Sequence, residues 1–387
     1  MENRSAYQPV KEVIERERLR TKAKRLLDYC DDVIRSHSPA AVGNVDLALY
    51  YYTRYEGSKD RTCLEECERL LVPVLCDPSS VDKPGGLLYL VNSIGERFPD
   101  QLAFLQDSCV KRAVHSILED SNDFLHGSFG ILYGLLRAPD SRIRNEQAGA
   151  LTDLIHAHAV QDASSFWIRS MYKGIGKEEI DFGFLKGQTA YLLILLHALE
   201  EGIDMDRNYA AIIKGINQVL QARQELDMES NQYSVFPQTM DSRTGEKQFT
   251  NRLSWCYGDL NEAILLYRAA DTLDDKNYRK IADIVGTSSI GRLSVEHTLC
   301  VDSGFCFGAS GVAQLYKTLY SLRRVDVYEN AYITWIEKTL DFLETDLRRN
   351  RYKGLEADLP DGLIGVSLVL LSFLHPEELT WSRGLLM

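Results

Sequence analysis

The chain has 387 residues, 45% hydrophobic and 10% aromatic, with a formal net charge of −12. That length exceeds the roughly 100–200 residues of an ordinary domain, so it implies either two domains or a repeat or barrel architecture that joins everything into one. The acidic balance argues against a nucleic-acid surface, and no stretch reaches the ~18 uninterrupted apolar residues of a membrane span.

The first 25 residues are rich in Lys, Arg and Glu and hold no apolar signal core, so cytoplasmic residence is expected. Eight cysteines, Cys30, Cys63, Cys67, Cys76, Cys109, Cys256, Cys300 and Cys306, are scattered through the chain, and free thiols are the expected state. Cys63 and Cys67 lie four apart on a predicted helix, where two thiols beside Glu65 and Glu66 outweigh a metal site.

In chain order, residues 9–36 read as a charged amphipathic helix whose apolar stripe is Val10, Val13, Ile14, Leu19, Leu26 and Leu27. It is an outer element. A different kind of segment begins at Gly43, a glycine leading into an apolar helix, and recurs at Gly85, Gly127, Gly187, Gly258, Gly308 and Gly362. From Gly85 onward the intervals are 42, 60, 71, 50 and 54 residues, the period of a two-helix repeat.

Between these segments lie one-faced helices, for example 148–158, 209–224, 276–285 and 331–347. A helix that is apolar nearly all round must be buried, whereas a one-faced helix belongs outside. The expected architecture is therefore all-α, an α/α toroid of seven inner glycine-led helices ringed by outer amphipathic ones, spanning 1–387 as one domain with 1–36 in its outer layer. The loops before the inner helices gather at one mouth, where function is expected.

Two of those loops carry a cysteine two residues before the glycine, in Trp255-Cys256-Tyr257-Gly258 and Cys306-Phe307-Gly308. A cysteine just before a helix start sits where backbone N–H groups and the helix dipole favour the thiolate. Two cysteines presented alike can converge on one ion, although a small buried cysteine is also an ordinary core residue.

The seven glycine-led repeats, with Trp255-Cys256-Tyr257-Gly258 and Cys306-Phe307-Gly308-Ala309-Ser310-Gly311, resemble the lanthionine synthetase C-like family, the lantibiotic cyclases, over nearly the whole chain. The resemblance implies an α/α toroid that adds a peptide cysteine thiol to a dehydroalanine or dehydrobutyrine, usually with zinc activating the thiol. Its partners would be a precursor or dehydrated peptide and a dehydratase.

Carried over by position, Cys256 and Cys306 fall on two zinc ligands, and the third ligand position holds Phe307. Zinc is accordingly expected to be substoichiometric or absent unless His297, Cys300 or a substrate thiol completes the shell. Asp123, Arg252 and Tyr257 match active-site positions, and in Asp181-Phe182-Gly183-Phe184-Leu185-Lys186-Gly187 the histidine of the family stretch is replaced by Lys186.

The chemistry explains why such groups are wanted. A thiol with a pKa of ~8.5 is mostly protonated at neutral pH, and its addition to an alkene leaves an enolate that needs positive charge at oxygen and a proton at carbon. Arg252 suits the first task. Lys186 suits the second if burial or a neighbouring cation such as Arg252 lowers its pKa.

The bland alternatives are a snorkelling lysine at 186 and a helix cap at Asp123. His126, His156 and His158 read as hydrogen-bonded structural histidines. Two other functions compete with the active cyclase: a catalytically degenerate peptide-binding subunit and, last, a carbohydrate-active (α/α) barrel using acids such as Asp181, Asp259, Asp302 and Asp361.

Overall fold

The structure is a computed structural model that describes residues 8–37, 44–95, 97–162, 165–168, 179–227, 229, 231–375 and 379–387. Its helices are, in order, α1 (Gln8–His37), α2 (Val45–Ser58), α3 (Arg61–Cys76), α4 (Pro84–Ile94), α5 (Pro99–Leu118), α6 (Ser128–Leu136), α7 (Gly149–His158), α8 (Gln188–Glu200), α9 (Met205–Ala222), α10 (Asp259–Thr272), α11 (Lys276–Ser288), the short α12 (Val295–Thr298), α13 (Ala309–Arg323), α14 (Asp326–Arg348) and α15 (Leu363–Leu374).

The glycine-led segments are the inner helices. They pack in a closed circuit, α2 on α4, α4 on α6, then α8, α10, α13, α15 and back to α2. Every residue of α6 is buried, as an apolar surface without a polar face requires. Around this ring lie the one-faced helices, α3 on α2, α5 on α6, α9 on α8, α11 on α10 and α14 on α13. The first helix, α1, covers the last inner helix, α15, so the two ends of the repeat array are joined. This is an α/α toroid.

A single local device sets the start of most inner helices. Gly127, Gly187, Gly258, Gly308 and Gly362 are the residues immediately before the helix. Three residues later the helix passes over a carbonyl of its own entry loop. A Cβ at Gly130 would lie 2.0 Å from the oxygen of Phe124, one at Gly311 2.0 Å from that of Phe305, and one at Gly365 2.2 Å from that of Leu359.

In the fifth inner helix the same place holds Asn261, whose Nδ2 donates to the Trp255 carbonyl at 2.8 Å. A side chain is tolerated there because it bonds the oxygen that the glycines avoid. Gly258 itself has φ of +119°, a conformation open to glycine and strained for other residues. In the second repeat the glycine has moved inward: Pro84 opens α4, and Gly85 faces the backbone of Gly130, where a Cβ would lie 2.3 Å away.

The fold is all-α as expected; among the described residues five short strands, β1 (Val160–Gln161), β2 (Phe166–Trp167), β3 (Glu179–Asp181), β4 (Thr239–Asp241) and β5 (Lys247–Gln248), form two small antiparallel sheets in the longer loops. Runs of two or three residues are too short to show a period of two. On α1, Leu26 and Leu27 are buried and Leu19 is packed against the core, but Ile14 is exposed. The side chains of Val10 and Val13, and Gly43 of the first repeat, lie outside the described residues.

Candidate functional site

The described entry loops, of α4, α6, α8, α10, α13 and α15, meet at one mouth with the start of α2, and hydrogen bonds or ion pairs link each to the next. Lys83 pairs with Asp46, and the His126 ring contacts the Asp82 carbonyl at 3.1 Å. Phe124 N–H donates to Leu185 O, Phe184 N–H to Cys256 O, Cys256 N–H to Cys306 O and Cys306 N–H to Pro360 O. Leu359 N–H closes the circle on the Asp46 carboxylate at 2.8 Å. The loops carrying Asp123, Lys186, Arg252, Cys256, Tyr257 and Cys306 are therefore consecutive members of one ring.

Cys256 and Cys306 converge, with a Cα–Cα distance of 5.7 Å, and they are joined as a disulfide. This overturns the expectation of free thiols for this pair: the backbone bond between the two loops holds the residues inside the 4.4–6.8 Å range that a disulfide spans. Cys30, Cys63, Cys67, Cys76, Cys109 and Cys300 are free. Both bridged residues are buried in the apolar core beneath the mouth rather than presented on its rim.

The residues around the pair do not complete a zinc shell. Phe307, at the third-ligand position, is 41% exposed and offers no lone pair. Instead its ring lies 5.1 Å from the Arg252 guanidinium, a cation–π contact. His297 packs its ring, tilted, against that of Tyr233, with ring centroids 4.0 Å apart. Cys300 is buried, and desolvation pushes its thiol up to about 12. Among the described residues no three His, Cys, Asp or Glu side chains group as ligands. A catalytic zinc ordinarily has three protein ligands, so this donor set does not fit one.

The neighbouring loop holds an acid–base cluster. Asp181 is buried; its Oδ1 accepts the Gly183 N–H at 2.8 Å and its Oδ2 accepts the Tyr257 hydroxyl at 2.9 Å. Burial pushes the Asp181 carboxyl up to about 6, against the lowering effects of those two bonds and of Lys186. Lys186 is 8% exposed, and desolvation lowers its pKa, while Asp181, Asp123 and Glu179 act the other way. The sequence admitted either burial or Arg252 as the cause. Burial is the dominant one, and the charges that Lys186 feels are carboxylates.

Asp123 is partly buried, which raises its pKa, and its Oδ1 accepts the His126 N–H at 2.6 Å. It thus braces the loop entering α6 rather than capping the helix, whose N-cap is Gly127. Tyr257 is buried, and desolvation together with Asp181 drives its hydroxyl well above the ordinary range. It is a hydrogen-bond donor here and not a phenolate. Its ring also limits residue 183 to glycine, since a Cβ there would lie 2.7 Å from it.

In the sequence Asp181 stands in the Asp-x-Gly stretch and among the barrel acids, with nothing there to pair it with Tyr257. A signal was present: Asp302-Ser303-Gly304 repeats the motif, and there too the aspartate accepts the glycine N–H, at 2.9 Å. Two of the other barrel acids are otherwise engaged. Asp259 is fully buried, accepts the N–H groups of Val235 and Phe236 and pairs with Arg292 at 2.9 Å. Asp302 pairs with Arg351 at 2.6 Å. His156 is structural, bonded to Asn208 at 3.1 Å and held neutral by burial, which lowers its pKa to about 4.

Comparison with known proteins agrees with this architecture. The solved structure of nisin cyclase is similar, with a TM-score of 0.76 at 14% identity, covering 94% of this chain and 98% of that one. A GH76 alpha-mannanase from Bacteroides thetaiotaomicron aligns with a TM-score of 0.42 at 11% identity, over 86% of this chain and 84% of that one, a likeness too low to carry an argument. No curated protein matches in sequence. The family model described as lanthionine synthetase C-like protein matches residues 10–386, and the chain belongs to that family.

Proposed function

We propose that the chain is a peptide cyclase that adds a cysteine thiol to a dehydroalanine or dehydrobutyrine of the same peptide, closing a thioether ring, with Lys186 as its acid–base group. The supporting observation is the cluster of Lys186 with Asp181, Asp123 and Tyr257 on loops bonded to the cysteine loop. Burial favours the neutral amine and the carboxylates oppose it, which draws the lysine toward a pKa at which it can both take and return a proton.

In this reading the Lys186 amine takes the thiol proton. The thiolate sulfur bonds to the β-carbon of the alkene, and the π pair moves onto the adjacent carbonyl to form an enolate. Arg252 supplies positive charge to that oxygen, and the Lys186 ammonium returns the proton to the α-carbon. Atoms and electrons balance with no external reagent. Asp181, held by Gly183 and Tyr257, positions the lysine loop. No step runs through zinc. A dehydratase would supply the alkene.

The test is incubation with a reduced peptide bearing one cysteine and one dehydroalanine, scored as loss of alkylatable thiol without change of mass. Lys186→Met is expected to slow the reaction by about 10²–10⁴-fold. Lys186→Arg should do the same, because a guanidinium does not release its proton. An unchanged rate in both variants would remove Lys186 from the mechanism. The second reading, a peptide-binding subunit without chemistry, is favoured by Phe307 and the bonded cysteine pair; it requires that the wild-type chain bind this peptide and leave its thiol titratable.

A further inference from the structure

Among the described residues eighteen large hydrophobic side chains stand exposed, and five of them, Leu293, Val295, Leu299, Val301 and Phe307, fall within the fifteen residues that lead into α13. They are 38–61% exposed. Single surface apolars are ordinary and need no explanation, but a cluster on one loop does.

The cluster borders the loop of Arg252. Leu253 N–H donates to Thr298 O at 3.0 Å and fixes the two segments side by side. Leu299 and Val301 stand exposed on either side of buried Cys300, whose thiol feels the Arg252 charge. Phe307 lies 5.1 Å from the Arg252 guanidinium, which makes no hydrogen bond or ion pair among the described residues. The apolar ledge therefore adjoins an uncommitted cation at the mouth.

A second observation concerns Leu299. Its φ is +51°, in the left-handed region, where a leucine is strained and asparagine or glycine is at ease. Leu386, the other aliphatic residue in that region, is buried in the core, whereas Leu299 is not. Packing accounts for the first and leaves the second without a reason inside the fold. Strained residues of this kind gather where a ligand is met.

The area of the ledge limits its occupant. The five side chains expose on the order of 400 Å², about half of what each partner brings to a stable dimer and the size of a functional patch on a monomer. It suits a short peptide segment rather than a second copy of the chain.

We propose that this ledge binds an apolar side chain of the substrate peptide, that of the residue directly following the dehydroalanine or dehydrobutyrine. The inference rests on the cyclase reading above, in which Arg252 meets the carbonyl oxygen of the dehydro residue. The next residue is bonded to that carbonyl, so its side chain falls over Phe307. The entry loops of α8, α10 and α13 follow one another round the mouth, which puts the ledge on the side of Arg252 away from Lys186. Leu299 and Val301 continue the apolar surface, and a serine at that peptide position covers little of it.

The experiment is calorimetric titration of the full chain with two peptides that cannot cyclise because serine replaces their cysteine. One has leucine and the other serine directly after the dehydroalanine. The leucine peptide is expected to bind about tenfold more tightly, as burial of one aliphatic side chain on a half-open surface provides. Leu299→Asn combined with Val301→Ser should bring the two peptides to within about twofold of each other. Ile284→Asn, on an exposed isoleucine of α11, should leave the preference unchanged. Leu299→Asn alone separates binding from packing: its melting temperature should equal or exceed that of the wild type while the preference shrinks.

Equal binding of the two peptides by the wild type, saturable binding of neither, or an undiminished preference in the double variant would overturn the ledge. Self-association of the wild type that the double variant abolishes would overturn it too, by assigning the patch to a second copy. Versions of both peptides with the cysteine restored tell the two proposals apart. A leucine preference in binding without loss of thiol ends the cyclase reading and keeps the ledge as a docking surface, whereas thiol loss with equal kcat/KM for both peptides keeps the cyclase and ends the ledge.

Discussion

Asp181 is held in a place that penalises its charge. Its carboxyl lies at about 6 in the fold against an ordinary value of 3.8, and burial is the cause. The folded chain therefore binds this proton more tightly than the unfolded chain does. The stability it contributes is fully present below pH ~4, declines between ~4 and ~6, and is gone above, a swing of ~3 kcal/mol at 1.36 kcal/mol per unit. Asp181→Asn should flatten that part of the stability curve, so that the variant gains on the wild type as pH rises from 4 to 6. Urea melts across this window test it, and parallel curves would refute the assignment. Phe307 makes the second residue-scale case. Because Cys256 and Cys306 already converge, Phe307→His in reduced protein should raise zinc content by adding a third donor. Elemental analysis of both proteins decides. No gain would mean that the two thiols cannot share an ion once the bridge is opened, and a full equivalent in the reduced wild type would mean that its ligands were misjudged.

At the scale of elements, the inner helices were legible because two signals coincide: a glycine fixed by a close approach and a helix apolar all round. The entry loops of α6, α13 and α15 show why the glycine recurs three residues into the helix, since each passes over a carbonyl of its own loop. Asn261 was visible only as a departure from that pattern, because its bond to Trp255 O depends on geometry that spacing does not encode. The outer helices α9 and α14 were readable from one apolar face. The short strands were not, since β3 is fixed by pairing with β4, nearly sixty residues away in sequence. The candidate site was partly legible. Position placed Lys186, Asp123, Arg252, Tyr257 and the two cysteines on loops that prove adjacent. What it lacked was the pairing of Tyr257 with Asp181, the Arg252–Phe307 stack and the cysteine bridge, each a contact between different repeats.

At the scale of the whole molecule, a ring needs a closure and a floor. Closure comes from α1 against α15 and from Leu359 N–H on Asp46. The floor is the segment 379–387, whose Trp381 is 1% exposed, donates to Ser372 Oγ at 2.8 Å and meets Phe305 edge-on at 5.8 Å between ring centroids. Phe305 directly precedes Cys306, and Trp255, directly before Cys256, lies tilted against Phe305 with ring centroids 5.5 Å apart. A layer of aromatic rings thus joins the bottom of the ring to the two loops at its mouth. Trp381→Ala should cost ~3–5 kcal/mol, the range for emptying a buried aromatic site, whereas Trp381→Phe keeps most of the packing and should cost less. Hydrogen exchange separates a local from a global effect. In Trp381→Ala the N–H groups of Cys256 and Cys306, which bond to Cys306 O and Pro360 O, should exchange faster relative to wild type than those of α5 on the periphery. Equal acceleration everywhere would show that Trp381 supports the ring as a whole, and no acceleration at the cysteines would show that the mouth does not rest on this floor.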